Sequence, residues 1–222
     1  GLNLSKFFGE NSNFVTLFDN SEVYPDFKTG INIGLFFEYF LIENELSLET
    51  GLYYYQAGAD YSHNGSMETI AMIEGAPVEV TVYNDFELEF SLEYLSAPVL
   101  IKYYFPLGKG LNFNINFGAQ ARQFLEGTMT GHEYEYLDRD KFPGLENRNE
   151  WDIDEELGAE DISSFDLALT GGIGFSWNFG RGRFILEGNY DFGMMNFLKD
   201  DGNFEMKNHG FMFRLGYGIF LD

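Results

Sequence analysis

The stretch LNFNINFG, residues 111–118, alternates apolar and polar or small side chains without interruption. Successive side chains of a strand point to opposite faces of the sheet, so the stretch predicts a strand with one apolar and one polar face. The apolar side chains are Leu111, Phe113, Ile115 and Phe117, and the opposite ones are Asn112, Asn114, Asn116 and Gly118. In a soluble protein the phenylalanine face is the core, whereas in a membrane barrel it meets lipid and the asparagines line the inside.

The alternation recurs along the chain of 222 residues, and aromatic residues (18%) and 26 glycines favour strands over helices. It marks eight strand-like segments, at residues 1–8, 28–42, 46–59, 92–106, 111–126, 164–179, 183–197 and 208–221. Most exceed the usual globular strand of about five or six residues and are long enough for a tilted strand that crosses a bilayer in about 9–11 residues. A transmembrane helix is not expected, because no run of about 18 apolar residues occurs.

The connections between these segments alternate strictly in length. The short ones are residues 43–45, 107–110 and 180–182, and the long ones are 9–27, 60–91, 127–163 and 198–207. An up-and-down barrel with short periplasmic turns and longer extracellular loops has this pattern. We therefore predict an all-β fold, an eight-stranded antiparallel up-and-down transmembrane β-barrel, as a single domain over residues 1–222.

The charge is concentrated in the long connections. The net charge is -23, and the four long connections hold 26 of the 36 acidic residues but 5 of the 13 basic ones. This predicts long acidic extracellular loops at one end of the molecule. Nucleic acid is not an expected partner, because phosphate binding needs a basic surface. Cysteine is absent, which excludes disulfides and thiolate chemistry.

Three features favour the membrane barrel over a soluble barrel or sandwich. The polar faces carry many small residues, and the apolar faces are almost free of charge along the middle of each strand. The apolar faces also carry aromatic residues near the short turns, which predicts a lipid-facing aromatic girdle. Its members are Tyr39, Tyr103, Phe105, Phe113, Trp177 and Phe184, with a smaller set, Phe165, Phe192 and Phe211, at the opposite end.

The polar faces hold charges at mid-strand, which a membrane barrel places inside. These are Glu38, Glu49, Lys102, Arg122, Asp166, Glu187, Asp191 and Arg214. Buried charges are tolerated when they are paired and hydrogen-bonded. Eight strands enclose a space that side chains fill, so we predict an ion network that plugs the barrel rather than a pore.

Three phrases of the sequence resemble a known family. GLNLS at residues 1–5, YLSAPVLIKYYFP at 94–106 and LALTGGIGFSW at 167–177 resemble the PorT-like outer-membrane β-barrel family of Bacteroidetes-type bacteria. The resemblance implies an eight-stranded barrel in the Gram-negative outer membrane, in contact with the lipid bilayer and lipopolysaccharide. It also implies that the first strand begins a few residues before Gly1, and that Asn189 stands where the family usually has arginine. It implies little about activity, since the named member belongs to a protein-secretion apparatus.

Catalytic residues are not expected. His63 and His132 lie in long connections, and His209 begins the last strand. A barrel that modifies lipid A needs a Ser–His–acid set facing lipid. Phe211, two residues after His209, stands where a nucleophile would be sought, so each histidine is interpreted as a loop or interfacial residue.

The acidic stretch WDIDEELGAED, residues 151–161, matches a calcium loop only in part. Asp152, Asp154 and Glu156 match positions 1, 3 and 5 of an EF-hand, but Leu157 and Ser163 occupy the positions that require glycine and glutamate. We therefore predict no cofactor and at most a weak divalent-cation loop with loose Ca²⁺ or Mg²⁺ association.

The long connection 127–163 is the remaining functional candidate. Its aromatic residues Tyr134, Tyr136, Phe142 and Trp151 lie among acids and are typical of a recognition surface for a basic or glycan partner. The favoured hypothesis is a non-enzymatic barrel used for binding, scaffolding or assembly with a protein partner in an envelope complex. The alternatives are an outer-membrane lipid-modifying enzyme and a soluble lipocalin-like binding protein.

Overall fold

Eight antiparallel strands close into a ring, in chain order. The computed structural model describes residues 1–9, 14–15, 22–73, 75–137, 149–158, 160–199 and 206–221. The ring consists of β1 (Leu2–Phe8), β4 (Lys28–Ile42), β5 (Leu46–Ile73), β6 (Ala76–Gly108), β7 (Leu111–Leu137), β9 (Phe165–Phe179), β10 (Gly182–Gly193) and β11 (Lys207–Ile219). Three further strands lie outside it, β2 (Phe14–Val15) paired with β3 (Glu22–Val23), and β8 (Asn149–Leu157) paired with β7. The predicted up-and-down barrel is confirmed.

The polar face of each ring strand points inward. In the stretch at residues 111–118, Asn114 and Asn116 are buried, whereas Ile115 and Phe117 expose 47% and 62% of their surface on the outside. Outward apolar residues on β6 run from Leu95 to Phe105. That is about 34 Å along the strand, or about 24 Å across a bilayer at a 45° tilt, which matches the apolar band of outer-membrane barrels. No helix long and apolar enough to cross a membrane occurs among the described residues.

The polarity of the two sheet faces exchanges at Tyr94 on β6. Towards the short turns the inward side chains include Lys102 and the outward ones are apolar. Beyond Tyr94 the inward side chains, such as Leu92 and Leu88, are buried and apolar, while the outward positions carry acids such as Glu89. The exchange marks the level at which lipid gives way to water.

Beyond this level, four strands continue as a sheet. This sheet extension consists of residues 56–73 of β5, 76–93 of β6, 126–137 of β7 and all of β8, paired in that order. The prediction that 60–91 is a loop is therefore wrong, because β5 and β6 form one hairpin up to Ile73 and Ala76. Connection 127–163 is likewise a strand over 127–137 and 149–157. Phe142 and the side chain of Tyr136 lie outside what the structure describes.

A β-bulge at Leu125 keeps β7 in register across this change. Tyr94 pairs with Phe124 and Glu93 pairs with Glu126, so Leu125 has no partner on β6. The extra residue shifts the alternation, so that Gly127, Met129 and Gly131 point inward beyond the bulge. Bulges are common at barrel rims, where they re-aim side chains.

An apolar core closes the mouth of the barrel under the sheet extension. It joins side chains from the barrel wall, the sheet extension and the connections near the mouth. Its members include Phe7, Tyr55, Tyr61, Leu92, Tyr94, Phe124, Ile162 and Phe197. The mouth is therefore packed with side chains among the residues that the structure describes.

β1 lies between β4 and β11. Gly1 and β1 join these strands only as far as Asn32 and Phe213. Towards the short turns, a cavity of about 700 Å³ lies between them. The ring of Phe36 reaches across it, since a Cβ atom placed on Gly218 would lie 3.3 Å from the Phe36 ring.

Candidate functional site

Three ion clusters occupy the barrel interior. The central cluster consists of Glu49, Lys102, Glu187 and Arg214, each from a different strand. Lys102 Nζ lies 2.6 Å from Glu49 and 2.5 Å from Glu187, and Arg214 Nη1 lies 2.7 Å from Glu49. A second nitrogen of Arg214 contacts Glu187, and Tyr53 accepts a hydrogen bond from Arg214 at 2.7 Å. Two cations thus balance two carboxylates away from solvent.

The upper cluster lies nearer the mouth and consists of Arg122, Asp166 and Asp191. Arg122 Nη2 lies 2.6 Å from Asp191, and Nη1 lies 3.3 Å from Asp166. Thr170 donates a hydrogen bond to Asp191 at 2.7 Å, and the Arg122 guanidinium lies 4.4 Å from the ring centre of Tyr55. Two carboxylates share one arginine in this cluster.

The lower cluster lies near the short turns and consists of Glu38 and Arg183. Arg183 Nη1 lies 3.3 Å from Glu38, and the Tyr104 hydroxyl donates to Glu38 at 2.5 Å. All eight charged residues predicted from the sequence therefore face the interior and are brought together there. Arg183 also points inward, because β10 already begins at Gly182.

Between the clusters lies a set of buried amides. Asn114, Asn116 and Asn189 are buried, and the side-chain amide atoms of each have no hydrogen-bond partner among the described residues. Buried polar groups of this kind are normally satisfied by ordered water.

The aromatic residues assigned to the girdle lie on the outer wall. The exposed members are Tyr39, Tyr103, Phe105, Trp177 and Phe184, and Phe113 is half-buried. Phe113 packs between its neighbours, with ring centres 5.9 Å from Phe105 and 5.5 Å from Phe175. At the other end Phe165, Phe192 and Phe211 are also exposed.

The outward face of the sheet extension is acidic. Among the side chains that the structure describes, the strand register places eleven carboxylates on it, and we call this set the acidic face. Its members are Asp60, Glu68, Glu79, Asp85, Glu87, Glu89, Glu93, Glu126, Asp152, Asp154 and Glu156. Lys28 contacts two of them, Asp60 at 3.9 Å and Glu89.

Asp60, at the base of the hairpin, is the acidic-face carboxylate in the most perturbed setting. Partial burial raises the pKa of Asp60 above its ordinary value; Lys28 opposes this effect, and Glu89 and Asp26 add to it. The Asp60 backbone is held by two hydrogen bonds to Asp26, of 2.7 and 3.3 Å. Charge on Asp60 therefore works against local folding of the hairpin base.

The three residues of the predicted divalent-cation loop do not converge. Asp152, Asp154 and Glu156 lie on β8 and not in a loop, at alternate positions of one face. Such positions are about 6.6 Å apart along a strand, which is too far for one ion to be held by all three. No group of three histidine, aspartate or glutamate side chains in the described ranges is placed to hold a metal.

The histidines lie apart from one another. His209 is buried between the rings of Phe8 and Phe192, and its Nδ1 lies 3.1 Å from the Tyr190 hydroxyl. His132 lies on the acidic face with Nδ1 2.6 Å from Asp152. The surroundings of His209 are aromatic, and its hydrogen-bond partner is a phenol rather than a serine.

Together, a closed eight-stranded ring, an apolar outer band and a charged interior define a transmembrane β-barrel. The chain belongs to the family described as outer membrane protein beta-barrel domain, whose model matches residues 1–199. It is therefore a protein of the Gram-negative outer membrane, in contact with the lipid bilayer.

Among solved structures, the chain is similar to the crystal structure of Ail, the attachment invasion locus protein of Yersinia pestis. The identity is 13%, the TM-score is 0.33, and the alignment covers 98% of this chain and 93% of that chain. No curated protein sequence matches the chain.

Proposed function

We propose that this protein is a non-enzymatic outer-membrane barrel, a single domain whose sheet extension presents the acidic face outside the cell to a basic partner. The observation that supports this most directly is the separation of charge. Acids are paired with cations inside the barrel, whereas on the acidic face carboxylates outnumber the contacting cations. A field of one sign attracts oppositely charged partners and speeds their encounter.

The interior supports a scaffold role over a channel or an enzyme. Ion pairs span the lumen at three levels, and the apolar core packs the mouth. A barrel interior filled by side chains in this way is rigid and can support the long strands of the sheet extension. The aromatic surroundings of His209 do not favour a lipid-modifying activity.

The finer parts of the proposal concern family and surroundings. The phrases that resemble PorT-like barrels support a Bacteroidetes-type source and a role in an envelope complex. Lipopolysaccharide is the expected neighbour of the outward aromatic residues, and Ca²⁺ or Mg²⁺ is expected to associate loosely with the acidic face.

Orientation can be tested with single cysteines, because the chain contains none. Ser66→Cys lies on the sheet extension and Glu43→Cys lies in a short turn, and both positions are exposed. A membrane-impermeant maleimide added to intact cells should label the first and not the second. Labelling only at residue 43 would show the opposite orientation and would contradict the proposal.

Partner binding can be tested by removing charge from either end. One variant removes two negative charges from the acidic face (Glu87→Gln, Asp152→Asn). A matched control removes two negative charges from a short turn (Glu43→Gln, Glu45→Gln). Protein purified in mild detergent should bind a fluorescent lysine-rich peptide, with weaker binding only in the first variant. Equal binding by all three proteins would overturn the assignment of the acidic face as the binding surface.

A further inference from the structure

Among the residues that the structure describes, the outer edge of the sheet extension is a strand with a partner on one side only. Nine residues of β8 pair with residues 127–135 of β7, and no described strand lies on the other side of β8. An open strand edge presents a row of unpaired N–H and C=O groups that can accept a further strand. Backbone pairing is therefore available at this edge.

The two faces of β8 differ in their share of carboxylates. Asp152, Asp154 and Glu156 point to the acidic face. On the opposite face Trp151 is 47% exposed and Glu155 is also exposed, while Ile153 and Leu157 pack against the apolar core. A strand added here meets three carboxylates on one face, and on the other face apolar groups with the single carboxylate of Glu155 among them.

A second copy of this chain is a poor occupant of the edge. Antiparallel pairing of two β8 strands about Asp154 would place that residue opposite itself and Asp152 opposite Glu156. Like charges directly opposite each other across a strand pair are destabilising, whereas opposite charges stabilise it. The edge thus disfavours self-association and favours a basic strand.

We propose that the open edge of β8 binds an extended segment of another protein, in which basic residues alternate with apolar ones, as an added strand. The basic side chains pair with the three carboxylates, and the apolar ones extend the row of Trp151 and Ile153. This inference rests on the proposed function, and adds to it the mode of binding and the chemistry of the partner.

The test uses the full chain in detergent and two nine-residue peptides. In the first, lysine alternates with valine, and in the second the same residues are grouped in two blocks. Affinity is measured by fluorescence anisotropy, and amide hydrogen exchange is followed across residues 149–157. The alternating peptide should bind more tightly and should slow exchange in β8.

Two variants separate the edge from general attraction. The edge variant carries Asp152→Asn, Asp154→Asn and Glu156→Gln, and the control carries the same change in charge on β6, with Glu79→Gln, Asp85→Asn and Glu87→Gln. Loss of three cross-strand ion pairs should weaken binding of the alternating peptide about tenfold in the edge variant. The β6 variant should weaken it less than about threefold, because its charges act only at a distance.

Equal binding of the two peptides, or equal losses in the two variants, would overturn the strand-addition proposal and leave the acidic face as a general attractor of basic partners. Failure of both peptides to bind would overturn both proposals. Slower exchange in β8 with the alternating peptide alone supports the inference.

Discussion

The Nζ atom of Lys102 lies 2.6 Å from Oε2 of Glu49, and neither side chain is accessible to solvent. Because Lys102 also contacts Glu187, one ammonium group joins two strands that do not neighbour each other in the wall. The interior ion pairs therefore link strands on opposite sides of the barrel wall.

Lys102→Met should strongly destabilise the barrel. It leaves Glu49 and Glu187 to share Arg214, and an uncompensated buried charge costs about 3–5 kcal/mol. Urea unfolding in lipid vesicles, followed by the heat-dependent shift in gel mobility, measures the free energy. The double variant Lys102→Met/Glu49→Gln restores charge balance and should recover most of the loss; equal stability of the two variants would refute pairwise compensation.

Ile115→Arg should impair insertion, because Ile115 lies at mid-strand on the outer apolar face. Arginine at the bilayer midplane of a barrel costs about 2–4 kcal/mol. The yield of the Ile115→Arg variant in purified outer membranes should fall well below that of the wild type. His132→Arg, on the same strand but on the acidic face, is the matched control and should insert normally. Normal assembly of the Ile115 variant would mean that this face does not meet lipid.

Deletion of Leu125 should leave both the barrel and the sheet extension in place. It removes the residue that has no partner on β6 and joins Phe124 directly to Glu126, so the pairs on either side of the bulge are kept. Gly131→Val is the contrasting variant and should disrupt the sheet extension, because a Cβ atom at Gly131 would lie 2.7 Å from the carbonyl oxygen of Glu87. Limited proteolysis should cut the sheet extension in Gly131→Val and not in the deletion variant, while both variants insert into the membrane; an extension cut equally in both would contradict this register.

Asp60→Asn should stabilise the hairpin base at neutral pH. The raised pKa of Asp60 means that the folded state binds its proton more tightly than the unfolded state does. The contribution of Asp60 to stability therefore falls as pH rises from the ordinary value through the raised one. Hydrogen exchange of residues 58–62, corrected for intrinsic rates, should show slower opening in Asp60→Asn at pH 7 and little difference near pH 3. Glu87→Gln removes the same amount of charge from the acidic face and is the control. If Glu87→Gln slows exchange of residues 58–62 equally, the stabilisation comes from the general loss of negative charge and not from the setting of Asp60.

The membrane-spanning part of the fold is predictable because its alternation is simple. In LNFNINFG each outward residue is apolar and each inward one is polar or small, so eight such segments were recognisable. The interior charges followed from the same parity. Arg183 was missed although it shares the parity of Glu187, because the adjacent glycine was interpreted as part of a turn.

The sheet extension was missed for a different physical reason. Residues 78–92 alternate as regularly as the barrel strands, with Val80 and Leu88 on one face and Glu79 and Glu87 on the other. The many acidic residues of this stretch indicated a loop, because a strand that crosses lipid is expected to have an uncharged outer face. Within the bilayer the apolar face of the strand points outward to lipid, whereas beyond the bilayer the apolar face points inward to the core. Composition alone does not reveal this change. The bulge at Leu125 hides the continuity further, since it breaks the parity of β7.

The polarity exchange at Tyr94 also sets how far the protein reaches. From Glu93 to Ala76, β6 runs about 56 Å, which at a 45° tilt is a height of about 40 Å. The headgroup layer of one leaflet is only about 5–8 Å thick. The tip of the hairpin therefore stands well clear of the lipid surface, and a ligand dissolved in the surrounding medium can reach it without approaching the membrane.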